Sequence, residues 1–321
     1  MAAVIVPDDI NFSEYIEETE AKQKVKSARV FIEDMLHKMF TATASVGAYL
    51  PWFEVRDQFA FRPGEVTLWP GINGHGKSLI TGQVMLSLMG QGDKVCVASF
   101  EMKPVRTLER MARQFNGMEP ARRSDDPRII EMYKEACRQF GDWTDDKLWL
   151  YDQQGTVSPE TIVAVCRYCA KTLGINHIFV DSLMKCVKGE DDYNGQKYLI
   201  DEFCAIAKDY DTHIHVIHHI KKLGSEDQQP GKFDTKGSGA ITDQVDNILI
   251  HWRNKAKENA EGKNAAAMAS DPDALLTCVK QRNGEWEGKI GLWFDRQTHQ
   301  FKKHQSDAPV NFEVWPHRPW S

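Results

Sequence analysis

Gly71-Ile72-Asn73-Gly74-His75-Gly76-Lys77-Ser78 follows the spacing G-x-x-x-x-G-K-[ST], and its flanks leave few folds open. Before it, Glu65 to Pro70 reads as an apolar strand; after it, Leu79, Ile80, Val84, Met85, Leu88 and Met89 recur at helical spacing. A strand, a glycine-rich turn and a helix in succession are the opening unit of an α/β sheet. The glycines let backbone N–H groups approach phosphates, and the helix N-terminus adds a favourable dipole. Lys77 neutralises the outer phosphates and Ser78 ligates Mg2+. These residues imply a nucleotide site for ATP and Mg2+, built from Gly71, Asn73, Gly74, His75, Gly76, Lys77, Ser78 and Leu79.

Further along, short apolar strands alternate with longer helical stretches, the signature of a mainly parallel sheet covered on both faces. Strands are expected near 65–70, 94–100, 147–151, 176–181, 213–218, 246–252, 275–281 and 289–294. Val25, Ala28, Phe31, Ile32, Met35, Leu36 and Met39 form one face of a helix ahead of this core. The segments are then an N-terminal arm over 1–45, a motor domain over 46–305 and a Pro/Trp-containing tail over 306–321 that docks on the core or on a partner. Asn254 to Asp273 is rich in Ala, Lys, Asn and Glu and reads as a solvated excursion.

No apolar run approaches the length of a membrane span, and the N-terminus lacks a basic region, so a cytoplasmic protein is expected. Seven scattered cysteines suit a reducing compartment, and Cys166-x-x-Cys169 has no partner pair at zinc-ligand spacing; it reads as two helix residues one turn apart. The net charge of −6 does not decide for or against a nucleic-acid partner, because basic groups can concentrate locally on an acidic body.

Two apolar strands end in acids. His177 to Asp181 offers Asp181 for the Mg2+ shell beside Ser78, and Val95 to Glu101 offers Glu101 to activate the attacking water. Neighbouring parallel strands bring such C-terminal ends to one crevice.

In order along the chain stand Ser99-Phe100-Glu101-Met102, Leu148-Trp149-Leu150-Tyr151-Asp152, Phe179-Val180-Asp181-Ser182-Leu183, Lys236-Gly237-Ser238-Gly239-Ala240 and Lys280-Gln281-Arg282-Asn283-Gly284. This ordered set resembles the motor domain of the DnaB-like replicative helicases, over roughly residues 50 to 302. The resemblance implies a RecA-like P-loop core preceded by a short helical arm, with Glu101 as catalytic acid and His219 as sensor of the outer phosphate; His218 is the alternative. It makes Lys280 and Arg282 a pair acting on the neighbouring subunit's ATP, both pointing away from the core, and it places Arg253 and Phe294 against the base. Lys236, Gly237, Ser238 and Gly239 are implied to grip single-stranded DNA. Neither this loop, Lys221 to Ala240, nor Lys185 to Lys197 reads as an aromatic stacking platform, so backbone tracking is expected. No primase domain or N-terminal collar matches, so no contact with primase is implied.

The expected activity is that of a hexameric, ATP-driven helicase moving 5′ to 3′ on single strands and opening forked duplex, with replication partners reached through the tail. A RecA-like recombinase, a DNA-stimulated ATPase without unwinding, and a regulatory or loader ATPase stay open as alternatives at this point.

Overall fold

The apolar alternation of the strand segments is resolved into a ten-stranded sheet in a computed structural model, which describes residues 4–5, 28–29, 32, 35–36, 47–119, 125–189, 191–220, 224–225, 227–235 and 239–314. The strands are β1 (Val4–Ile5), β2 (Ala48–Tyr49), β3 (Ala60–Phe61), β4 (Val66–Gly71), β5 (Val95–Ser99), β6 (Leu148–Tyr151), β7 (His177–Asp181), β8 (His213–His219), β9 (Asn247–Arg253), β10 (Ala274–Gln281), β11 (Gly288–Phe294) and β12 (Phe301–Lys302). The helices are α1 (Lys77–Gly90), α2 (Pro104–Asn116), α3 (Pro127–Thr144), α4 (Pro159–Lys171), α5 (Tyr193–Tyr210), α6 (Gly239–Gln244), α7 (Lys255–Glu258) and α8 (Gly262–Ala267).

The sheet order is β1-β6-β5-β7-β8-β4-β9-β10-β11-β12, with β2 and β3 in a separate hairpin. From β1 to β9 every pairing is parallel; β10, β11 and β12 extend the sheet antiparallel. All eight expected strands are present, and β10, β11 and β12 follow one another through short connections without a helix, which suits antiparallel pairing.

Strand side chains alternate between two cores, as the pleat requires. Trp69, Val95, Val97, Phe179 and Leu249 join α1, α2 and α3 on one face. Val66, Leu68, Ile178, Val180, Ile214, Val216, Ile248 and Ile250 join α4, α5 and α6 on the other. Each fully buried aromatic such as Phe203 adds roughly 2–3 kcal/mol of burial free energy. Cys166 and Cys169 lie buried on α4 among these apolar residues, as the helical reading expects.

Beneath the β2–β3 hairpin a buried polar seam crosses the first core. The Trp69 indole N–H donates to His215 Nδ1 at 3.2 Å, and His215 Nε2 lies 3.1 Å from His177 Nδ1. Because Trp can only donate, His215 carries its proton on Nε2 and donates it to His177, whose Nε2 faces the Asp93 carboxylate at 3.5 Å. Burial holds His213 and His215 well below the ordinary histidine value.

Most of the predicted N-terminal arm lies outside the described residues. Those described, Ala28, Arg29, Ile32, Met35 and Leu36, are helical, and Ile32, Met35 and Leu36 are exposed at i, i+3, i+4 spacing. Of the tail, Phe312 is buried in the first core and Val310 N–H donates to the Gln300 side chain at 2.7 Å, so its first part docks on its own chain; Trp315 and Trp320 lie outside the described residues. Among the described residues no helix is long and apolar enough to cross a membrane.

Candidate functional site

Four neighbouring parallel strands, β5, β7, β8 and β4, end at one edge of the sheet, and the register fixes what meets there. Ser99 pairs with Asp181, Asp181 with Ile217, and Gly71 with His219. Glu101 and His219 thus project two residues beyond the level of Asp181, side by side. Their side chains approach to 3.5 Å between His219 Nε2 and Glu101 Oε1. Lys77, at the start of α1, completes the group with Nζ 3.5 Å from His219 Nδ1.

The glycine loop turns tightly from β4 into α1. Gly74 and Gly76 adopt φ of +78° and +93°, which L side chains rarely tolerate, and Gly76 is the N-cap of α1. Gly71 answers a different need, since a Cβ there would sit 2.9 Å from the His251 carbonyl and 3.0 Å from the Lys77 stem. The loop is braced from below: His251 Nε2 donates to the His75 carbonyl at 2.9 Å, and His75 Nδ1 accepts from the Arg253 backbone at 3.1 Å. The His75 ring is therefore a buried strut beneath the loop, and His75 also borders the cavity that Phe294 walls.

The loop faces a cavity of about 510 Å3 lined by Asn73, Gly74, Lys77, Ser78, Glu101 and Asp181, together with His219, Arg110, Arg253 and His299. A contiguous cavity of about 540 Å3 is bounded by Arg253, Asn254, Lys257, Glu258, Phe294 and His299, among others. Both are in the size range of small-molecule sites, roughly 300–1,000 Å3. Arg253 spans the two, its guanidinium 2.5 Å from Glu258 on α7. Phe294 packs on Phe301 with ring centroids 5.1 Å apart and forms one wall of the second cavity.

Burial and mutual charge shift the titration of three groups around the first cavity. Burial lowers the Lys77 ammonium to about 8, opposed by Asp181 and Glu101. It donates to the carbonyls of Gly71 at 2.8 Å and Ile72 at 3.1 Å. Burial, and then repulsion from Glu101, raises Asp181 to about 6. Glu101 is lowered to about 2, chiefly by its hydrogen bond with His219 and against its partial burial; Ser182 Oγ also donates to it at 2.8 Å. Two carboxylates with midpoints pushed in opposite directions at one site are the arrangement that separates chemical roles.

A hard divalent cation fits this donor set: the Ser78 hydroxyl and Asp181 carboxylate are oxygen ligands of the kind Mg2+ takes. Beneath them, Ser99 Oγ and Thr107 Oγ1 are buried without a partner among the described residues, beside a cavity of about 20 Å3 that also touches Ser78 and Asp181. That is room for one water, the ligand Mg2+ prefers to keep.

A family model described as the DnaB-like helicase C terminal domain matches residues 57–303. The chain belongs to the DnaB-like helicases. Its fold also superposes on solved structures. A solved ATPase domain aligns with a TM-score of 0.68 at 17% identity, over 89% of this chain and 99% of that one. A structure described as a DnaB-like replicative helicase and its interactions with primase aligns with a TM-score of 0.67 at 16% identity, over 86% of this chain and 66% of that one. The fold is RecA-like, and the helicase is a nucleotide-hydrolysing member of its family.

Not every expected residue meets at the helicase's cavity. His219 faces it, while His218, one residue earlier in the strand alternation, is buried away from it. Gly71 lies beneath the loop and is not among the lining residues. Lys280 and Arg282 are elsewhere: Gln281 pairs with Asn247 and Asn247 with Thr67, at the N-terminal end of β4. From there to Gly71 is on the order of 13 Å along the strand.

The two side chains share a face outside both cores, with Gln281 buried between them, and each is held by acceptors of its own chain. Lys280 Nζ donates to the carbonyls of Thr242, Asp243 and Val245, and Arg282 reaches the Asp243 and Gln244 carbonyls and the buried Asp246 carboxylate at 2.9 Å. The physical reason is the C-terminus of α6, whose unpaired carbonyls attract cations. Arg282 keeps 43% of its side chain exposed.

The 254–273 segment is likewise more than a solvated excursion, because Lys257, Glu258 and Asp273 wall the second cavity. Lys236, Gly237 and Ser238 lie outside the described residues, and Gly239 opens α6. Sequence reasoning missed Arg110, Ser182 and His299. Ser182 follows Asp181 directly and was visible in the motif. Arg110 and His299 carry no local signal, since α2 and the β11–β12 turn reach the cavity only through packing.

Proposed function

We propose that this chain is the motor of a ring-forming, hexameric helicase assembly that binds ATP with Mg2+ at Lys77 and Ser78 and uses its hydrolysis to move on single-stranded DNA. The observation that carries this reading is the meeting of Lys77, Asp181, Glu101 and His219 at one strand edge, with 3.5 Å contacts linking Lys77 to His219 and His219 to Glu101.

In this mechanism Lys77 leaves the Gly71 and Ile72 carbonyls for the outer phosphates, and the backbone N–H groups of residues 73–78 cradle the chain of phosphates. Ser78 and Asp181 hold Mg2+, which neutralises charge on the phosphate oxygens when bound. His219 is poised between Glu101 and the phosphate side. When its ring turns to the outer phosphate, Glu101 loses the hydrogen bond that most depresses its basicity and can accept a proton from the attacking water. Arg253 and Phe294 flank the base, which their positions in the adjoining cavity support.

Lys280 and Arg282 are too far along the sheet to serve their own nucleotide, which supports a role across a subunit boundary; Arg282 then exchanges Asp243, Gln244 and Asp246 for phosphate oxygens. The exposed Ile32, Met35 and Leu36 suit an arm over 1–45 that packs on a neighbouring motor domain, residues 46–305. Lys236 to Gly239 grip the DNA backbone, translocation runs 5′ to 3′, and the protein works in the cytoplasm of its cell, with the 306–321 tail available to replication partners.

The test is ATP hydrolysis with and without single-stranded DNA, alongside strand displacement on a fork with a 5′ tail. DNA-stimulated hydrolysis with displacement is expected. Stimulation without displacement assigns the chain to a recombinase or a translocase, and hydrolysis indifferent to DNA assigns it to a regulatory ATPase.

A further inference from the structure

The loop between β8 and α6 presents an aromatic ring that the fold leaves in solvent. Phe233 is 90% exposed, the highest value for a large hydrophobic side chain among the described residues. The turn beneath it, Lys232–Asp234, is ordered by its own hydrogen bonds: Gly231 N–H donates to Asp234 Oδ2 at 2.7 Å, and Thr235 Oγ1 donates to the Lys232 carbonyl at 3.1 Å. Thr235 in turn bridges to Ile220, the residue after His219. Lys289 Nζ pins the near side of the loop through Gln229 at 2.7 Å.

An exposed phenylalanine held on an ordered turn forgoes the roughly 2–3 kcal/mol that its burial would contribute, which points to an occupant outside the protomer. Its surroundings say which kind. Among the described residues of the loop, Asp227, Gln228, Gln229, Lys232 and Asp234 are polar and Pro230 is buried, so none of them gives Phe233 the exposed apolar rim that a protein hot spot needs to exclude water. The Asp234 carboxylate is already engaged with the Gly231 N–H, and Lys232 precedes Phe233 on the same turn. A flat aromatic beside a cation fits a ligand with a flat face and an anionic backbone.

We propose that Phe233 stacks on an unpaired base of single-stranded nucleic acid, adding a base contact to a grip made otherwise on phosphates. This rests on the DNA-motor reading above and adds one stacking residue to a loop expected to track the backbone. Through the Ile220–Thr235 bridge the ring is carried on the same strand-loop unit as His219.

The experiment is fluorescence anisotropy with the full chain, Mg2+ and a non-hydrolysable ATP analogue, using an oligothymidine and an abasic strand of equal length. Wild type should prefer the base-bearing strand. Phe233→Ala should lose about fivefold or more in affinity for oligothymidine and little for the abasic strand, and Phe233→Trp should restore the preference. If Phe233→Ala keeps the wild-type preference, the stacking inference falls while the motor reading stands. If it weakens both strands equally and shifts the assembly size in sedimentation, the ring is a contact between copies and the inference also falls. If wild type binds neither strand, the DNA reading itself fails.

Discussion

Asp181 sits where negative charge is tolerated only beside cations, and removing that charge should make the empty protein more stable while abolishing its activity. Its carboxyl moves from an ordinary 3.8 to about 6 because burial and Glu101 outweigh the attraction of Lys77, His219 and Arg110. A native-state midpoint above the unfolded one means that ionisation destabilises the fold. The penalty is absent below 3.8, grows through the interval and is complete above about 6. At 1.36 kcal/mol per pH unit it reaches on the order of 3 kcal/mol. Asp181→Asn keeps the shape and removes the charge. Relaxation and water entering the cavity reduce the gain, so the expected rise in Tm at pH 8 is about 2–3 °C rather than the ~5 °C of the full penalty. The assay is thermal unfolding of both proteins without nucleotide and with chelator, at pH 8 and pH 5. The gap should fall to about half at pH 5, which lies between the two midpoints, and would close only below 3.8; comparison at equal pH cancels all other groups. Adding ATP with Mg2+ should raise the wild-type Tm more than that of the variant. A variant no more stable than wild type at pH 8, or a gap independent of pH, would refute the reasoning.

Arg282→Ala should abolish hydrolysis with nucleotide affinity largely kept, and should cost about 1–2 kcal/mol in urea titration because Asp246 loses a partner at a half-exposed pair; full hydrolysis would remove the trans role. Calorimetry of ATP·Mg2+ binding in buffers of different ionisation enthalpy should show proton uptake at pH 8, as Lys77 becomes fully charged beside phosphate, and proton release at pH 6, as Asp181 ionises beside the cation. No change of sign between the two would overturn both assignments. Acid should weaken the fold through His213, His215 and His251, which burial holds neutral below their unfolded value, His251 at about 3. Their contribution is present above about 6.5 and is lost as pH falls below that value. A urea midpoint unchanged between pH 7 and pH 5 would contradict it.

The strands, the glycine loop and the pair of acids were legible in the sequence because each follows from a local rule: period-two apolarity, fixed glycine spacing, and a carboxylate closing an apolar strand. The same rules distinguished His219 from His218 only once the sheet assigned each a face. Local rules are silent on contacts made through packing. Arg110 and His299 come to the cavity on elements whose own patterns show only a helix and a turn, and the 254–273 segment became a cavity wall because Lys257 and Glu258 fold back beside Arg253.

The Lys280–Arg282 pair marks the boundary most clearly. Its sequence spacing shows two cations on a late strand, and chemistry suits them to phosphate. Which acceptors they hold in the protomer was decided by α6, whose carbonyls end beside β10 only after residues far apart in the chain have packed. Phe233 shows the converse, since the sequence names a phenylalanine and only the fold leaves it uncovered. The sequence by itself determined the sheet, the loop and the charges available to the site, because these depend on neighbours a few residues away. The tertiary structure decided which charges meet, which are quenched within the chain and which face outward, because those outcomes depend on strand order and register across the whole sheet.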